Sequence, residues 1–293
     1  MRRRARETAL FAVATLVAAT WLPLSAQESQ PASSAESPQE LVRRAVGNQM
    51  HSADEHYMYR LTNKRLEGAQ TREIVEVNDG VLGRLIAING KPLTPEQRQK
   101  EDRRLQRLIN DPQAWQDKKK EQADDDARTR KMLKALPDAF VYEYVGTEEG
   151  PYGKVVNLRF KPNPDFDPPS RETQVYRGME GQMQIAVPAD RLVLIEATLF
   201  RDVNFGWGIL GHLDSGGRFV VQQAPVNGGQ WEITHMVLNF TGKALIFKTI
   251  KIRQDQTASD FRPVPTDLSL SQGLELLRKQ DEEMADNQGK QQK

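Results

Sequence analysis

Few side chains of this 293-residue chain are spaced for chemistry, and none of them completes a reactive set. His51, Asp54, Glu55 and His56 form the one local cluster of metal-capable ligands. Two histidines five positions apart share neither a helix face nor a strand face, and His212 and His235 stand alone, so solvated junction residues are the simpler reading. Asp214-Ser215-Gly216-Gly217 carries a serine that could serve as a nucleophile beside a general base. It lacks the preceding glycine and following proline of an activated serine, no histidine stands in an Ala-His-Cys context, and Ser-Gly-Gly between strands reads as a turn. Asp165 with Asp167, and Asp124 to Asp126, offer fewer oxygens than the roughly six to eight that calcium takes. G-x-S-x-G, H-E-x-x-H, P-loop and dinucleotide patterns are absent. No catalytic residue, metal or cofactor is expected, and the chain reads as a binding protein, not an enzyme.

What must position any site is a chain built for export. Arg2, Arg3, Arg4 and Arg6 precede an apolar run from Ala9 to Leu24 that ends at Ser25-Ala26, the layout of a secretory signal peptide cleaved after about Ala26. The run is shorter than the ~20 apolar residues of a membrane span. Loss of residues 1–26 removes four Arg and one Glu, which leaves 37 basic and 39 acidic side chains and a net charge of −2 in place of +1. A nucleic-acid partner, which would need a sustained basic surface, is not expected. With no cysteine, stability must come from a hydrophobic core. No later stretch is apolar and long enough to span a bilayer, so a periplasmic protein without a transmembrane segment in its mature form is expected.

Residues 27–36 read as a disordered leader, 37–284 as one domain, and 285–293 as a disordered polar tail. Ser37-Pro38-Gln39-Glu40 predicts a capped helix with Leu41, Val42, Ala45 and Val46 on one face. Strands are predicted over Tyr57 to Leu66, Arg72 to Asn78 and Leu82 to Ile88, with turns at Asp79-Gly80 and Asn89-Gly90. Thr94-Pro95-Glu96-Gln97 opens a charged helical hairpin, 94–136, which Pro137 should stop. Strands resume at Phe140 to Val145 and Val155 to Phe160. After a proline-rich loop they continue through Gln174 to Arg177, Gln182 to Val187, Leu192 to Asp202, Arg218 to Gln223, Gln230 to Phe240 and Ala244 to Arg253, before a last helix from Ser271 to Met284.

The late strands are apolar on both faces. Met236, Leu238 and Phe240 alternate with Val237 and Asn239, and Leu245 and Phe247 with Ala244 and Ile246. Such a sheet is either packed between layers or lines a cavity on one side. Between these strands lies DVNFGWGILGHLDSGG, Asp202 to Gly217, read as a glycine-kinked bend in a curved sheet or as a mobile lip over a cavity. Under the cavity reading Phe205, Trp207, Met236, Leu238, Phe240, Leu245 and Phe247 are the candidate ligand-binding residues.

The helix-first order, the inserted helical hairpin, the long final meander and the segment GQMQIAVPADRLVLIEATLF from Gly181 to Phe200 resemble the outer-membrane lipoprotein carrier and receptor proteins, the LolA/LolB family. The resemblance implies an α+β fold: a curved antiparallel sheet, an incomplete β-barrel of about 11 strands, with helices packed on the concave side and a cavity for lipid or lipoprotein acyl chains. A second expectation is an envelope protein-interaction or stress-sensing module with the charged hairpin as its contact surface.

Overall fold

The computed structural model describes residues 36–51, 55–205, 211–227, 229–244 and 248–291, the side chains of 281–291 excepted. The expected signal peptide, nearly all of the expected leader, and Asp54, Trp207, Leu245 and Phe247 lie outside the described residues.

Helix α1 (Pro38–Met50) starts where its signals place it: Ser37 accepts the Glu40 N–H at 3.2 Å and Pro38 takes the first turn. The reciprocal half of the expected box is not made, because the Glu40 carboxylate turns to Arg43 instead. Strands β1 (His56–Arg65), β2 (Gly68–Val77), β3 (Gly80–Ile88) and the short β4 (Lys91–Pro92) form a meander. Helix α2 (Pro95–Asn110) carries the full capping box between Thr94 and Gln97. Helix α3 (Pro112–Ala139) runs through Pro137, which was expected to stop it. The proline sits in the last turn, where the helix ends two residues later and little of its ladder is left to disrupt.

Strands β5 (Phe140–Gly150), β6 (Gly153–Pro162), β7 (Met179–Ala186) and β8 (Arg191–Leu199) follow. The strand expected at Gln174 to Arg177 is a 3-10 helix, Glu172–Gly178. Ser170 and Thr173 exchange side-chain and backbone hydrogen bonds at its start, and the adjacent Val175 and Tyr176 are both buried, which an alternating strand does not allow.

The glycine-aromatic stretch is not a single kinked strand. Val203–Phe205 (β9) and Gly211–Leu213 (β10) pair as a short hairpin, and β10 docks on the far end of β12 (Gln230–Ala244). The backbones meet so closely that a Cβ on Gly211 would fall 2.1 Å from the Lys243 carbonyl oxygen, so glycine is required there. Beyond β11 (Arg218–Val226) and β12, strand β13 (Lys248–Val264) continues through the polar stretch Gln254 to Pro263. Helix α4 (Leu270–Gln291) runs past Met284, where the sequence expectation ended it.

All pairings in the main path are antiparallel, in the order β4-β3-β2-β1-β13-β12-β11-β8-β7-β6-β5. The path holds eleven strands and does not close, as the family resemblance implies for an incomplete barrel. The last strand lies between β1 and β12 and so joins the two halves of the chain. The helices divide between the faces. On one face α1 and the C-terminal end of α3 cover Phe140, Leu158, Phe160, Met183, Leu199 and their neighbours. On the other, α4, Leu105 of α2 and Trp115 of α3 cover Met58, Val75, Val77 and Leu82.

Helix α3 gets from one face to the other by passing the β3 edge, where its Gln122 amide accepts from Val81 N–H at 3.1 Å and donates to Val81 O at 2.9 Å. Glu101 accepts from Leu85 N–H and Arg104 donates to Gly83 O, so side chains of α2 and α3 occupy backbone groups that an edge strand would offer to another chain.

Candidate functional site

Residues directly opposite each other in paired antiparallel strands share a face, so the register traces one row of side chains across the sheet. The row runs Leu158, Met183, Ile195, Val221, Met236, Gln256, Asn63, Gln70, Ile88. Leu158, Met183 and Ile195 are buried in the core under α1 and α3. From Met236 onward the row is only partly buried or exposed. One continuous face is therefore roofed by helices over β5 to β8 and open over β12, β13, β1 and β2.

The open part forms a trough of three adjoining depressions. The first, about 260 Å³, is floored by Tyr59, Leu61, Met236, Ala258 and Phe261, with Glu232 and His235 at its side. The second, about 340 Å³, shares Leu61 and adds Asn63, Arg65, Gln70, Arg72 and Ile88. The third, about 480 Å³, shares Gln70 and Ile88, adds Leu85, and is walled by Gln97, Lys100, Glu101, Arg103, Arg104 and Arg107 of α2. Tyr59 stacks on Phe261 with ring centroids 5.0 Å apart, and Tyr57 meets the same ring edge-on at 6.0 Å, which fixes the floor at one end.

The two ends differ in charge. At the Tyr59 end burial, and then the neighbouring Glu76, pushes the Glu232 carboxyl up to about 7. Glu76, which accepts the Tyr57 N–H at 2.8 Å, is raised by burial as well. At the α2 end burial pulls Arg72 and Lys118 below their ordinary values, and neighbouring cations add to the effect. The Glu101 carboxylate there is held down by Arg104, at 2.7 and 2.8 Å, and by the Leu85 N–H against the upward push of burial.

The residues singled out by sequence are distributed as follows. Phe240 is buried, and Leu238 and Phe205 pack partly buried against the same core as α1. Met236 lies in the trough. Tyr59, Leu61, Leu85, Ile88 and Phe261 were missed, because they belong to early strands and to a polar stretch of β13 that carried no strand signal.

The chemistry candidates do not converge. Asp202 accepts from Ser215 N–H at 2.7 Å and His212 meets Asp214 at 3.1 Å, so the Asp-Ser-Gly-Gly stretch is a clasped turn. His235 meets Asp255 at 3.0 Å. His51 Nδ1 lies 2.6 Å from the Gly47 carbonyl, and Asp167 pairs with Arg177. Among the described residues no helix is long and apolar enough to cross a membrane.

No family model matches the chain, and no curated protein matches it. Solved structures similar to it include an outer membrane lipoprotein-sorting protein domain from Vibrio parahaemolyticus, with 10% identity and a TM-score of 0.31 over 80% of this chain and 97% of that one. A LolA superfamily protein from Nitrosomonas europaea follows at 8% identity and a TM-score of 0.27, covering 79% and 96%. A DUF1329 family protein from Desulfovibrio piger has 12% identity and a TM-score of 0.27, covering 77% and 92%. The likeness is one of general architecture and extends to no particular residue.

Proposed function

We propose that the protein is an exported, non-enzymatic binding protein of the periplasm that holds an acyl chain of a lipid or lipoprotein against the open face of its sheet. The observation that carries this reading is the sheet face itself, which is apolar and roofed at Leu158, Met183 and Ile195 and continues past the helices into an open trough with Leu61, Met236, Ala258 and Phe261 on its floor. An acyl chain lying on Leu61, Met236, Ala258 and Phe261 would gain ~0.8 kcal/mol for each methylene it buries. Phe205, Leu238 and Phe240 then pack in the core with α1 where the roof begins, and Trp207, Leu245 and Phe247 remain candidates for the rim. Titration of the mature chain with a fluorescent long-chain fatty acid tests the reading. Saturable binding that is lost in Leu61→Asp and Met236→Asp supports it, and absence of binding to the folded wild type rejects it.

One observation favours a second role for the same fold. Residues 123–131 of α3 are exposed one after another over more than two turns, so the described residues leave this part of the helix uncovered. A contact surface for an envelope protein would look like this. Removing the hairpin would also strip Leu105, Trp115 and Gln122 from the sheet, so charge reversal at Asp124, Asp125 and Asp126 is the cleaner test. Loss of partner pull-down with fatty-acid binding retained would support this role, and retained pull-down would reject it.

A further inference from the structure

We infer that the α2 end of the trough is a head-group site, and that the ligand is an amphiphile with a phosphate or carboxylate at one end of its chain. This rests on the acyl-binding reading above and specifies it.

Helix α2 is amphipathic in an unusual sense. Leu105 faces the core at 0% exposure, while Gln97, Lys100, Arg104 and Arg107, spaced at three and four positions, form a stripe toward the trough. The stripe stands over Leu85 and Ile88. Taken together, the second and third depressions are lined by six cations, Arg65, Arg72, Lys100, Arg103, Arg104 and Arg107, against two carboxylates, Glu67 and Glu101.

Glu101 is already committed: both its oxygens are held by Arg104, and one also accepts the Leu85 N–H. Arg104 in turn donates to Gly83 O, so this pair builds the wall and leaves no charge over. Among the described residues no carboxylate forms an ion pair with Lys100, Arg103 or Arg107. Close by, burial pulls Arg72 and Lys118 below their ordinary values and the Arg104 charge adds to the fall at both, a repulsion that a bound anion would relieve.

Cations over an aliphatic floor fit a charged head with an apolar tail attached. A bare anion would make no use of Leu85 and Ile88, and a neutral lipid would leave the cations uncompensated. The other end of the trough carries Glu232 and, among the described residues, neither lysine nor arginine, so it offers the same head no attraction. The ligand is thereby oriented, with its head at α2 and its tail along β1 toward Tyr59. Arg65 to Tyr59 spans roughly 20 Å at the rise of a strand, a length that suits a long acyl chain.

The test compares two ligands of equal chain length, dodecyl phosphate and dodecanol, with inorganic phosphate as a third arm, all on the mature chain at low ionic strength. Dodecyl phosphate should bind about tenfold tighter than dodecanol, the sum expected of a few partly exposed charge contacts. In the triple variant Lys100→Gln, Arg103→Gln, Arg107→Gln that ratio should collapse toward one. Removing the same charge on β6, with Lys154→Gln, Arg159→Gln and Lys161→Gln, should preserve it, and thermal melts establish that both variants fold.

A ratio near one in the wild type, or a ratio unchanged in the α2 variant, overturns the head-group site while leaving acyl binding intact. Inorganic phosphate that displaces dodecyl phosphate at equal concentration overturns it in favour of a simple anion site. Failure of both alkyl ligands to bind overturns the acyl-binding reading as well.

Discussion

Glu232 offers the sharpest quantitative test of the trough as it is built. Its carboxyl is raised from 4.5 to about 7, first by burial and next by Glu76, with Glu55 adding to the repulsion and Arg191 and Gln230 opposing it. Below pH 4.5 the group is protonated whether the chain is folded or not, and it contributes no difference. Between pH 4.5 and 7 the unfolded chain gives up this proton while the folded chain keeps it, so stability falls as pH rises. Above pH 7 the loss is complete.

A rise of this size corresponds to about 3 kcal/mol at roughly 1.4 kcal/mol per pH unit. Water still reaches part of the side chain, and ~2 kcal/mol is the working figure. Glu232→Gln removes the ionisation and keeps the shape. Urea denaturation should therefore show the variant equal to wild type at pH 4 and more stable by ~2 kcal/mol at pH 8. A variant less stable than wild type at pH 8 would mean that attraction to Arg191 outweighs burial and Glu76, and would refute the reasoning. A gain of equal size at both pH values would refute it too, because the cause would then not be ionisation.

Three further outcomes follow from packing. Gln122→Ala uncovers Val81 N–H and O on the β3 edge; it should cost about 1–3 kcal/mol in chemical denaturation and raise light scattering on concentration. Leu277→Ala empties a fully buried position between α4 and the sheet and should cost about 2–5 kcal/mol by the same measurement, with fatty-acid binding retained because α4 lies on the face opposite the trough. Gly181→Ala would place a Cβ 1.9 Å from the Glu196 carbonyl oxygen; circular dichroism should show loss of the cooperative thermal transition, whereas Gly146→Ala, with no atom within 4 Å of its Cβ, should melt close to wild type.

The elements themselves were legible because their causes are local. Ser37 and Thr94 cap their helices from within three residues, and Tyr57 to Leu66 and Gln230 to Phe240 alternate as strands must. Leu41, Val42, Ala45 and Val46 declare the buried face of α1 by spacing alone. Local pattern misled at Gln174 to Arg177, where capping by Ser170 and Thr173 overrode a strand-like composition. It was silent over Gln254 to Pro263, whose polar residues become strand only because β1 and β12 offer backbone partners on either side.

Alone, then, the sequence determined an α+β chain of many antiparallel strands, a capped helical hairpin between early and late strands, and a two-sided apolar pattern that demands cover. Tertiary structure decided which part of that pattern is covered. Leu238 and Phe240 lie in the core with α1, while Met236, on the same strand and the same face, lies open beside Gln256 and Asn63. Alternation is identical for a roofed face and an empty one, so only the placement of β13 against β1, close to two hundred residues apart in the chain, creates the trough. The charges of α2 were plain in the sequence. That Lys100, Arg103 and Arg107 stand over Leu85 and Ile88 depends on how the hairpin wraps the β3 edge, which no spacing within the hairpin encodes.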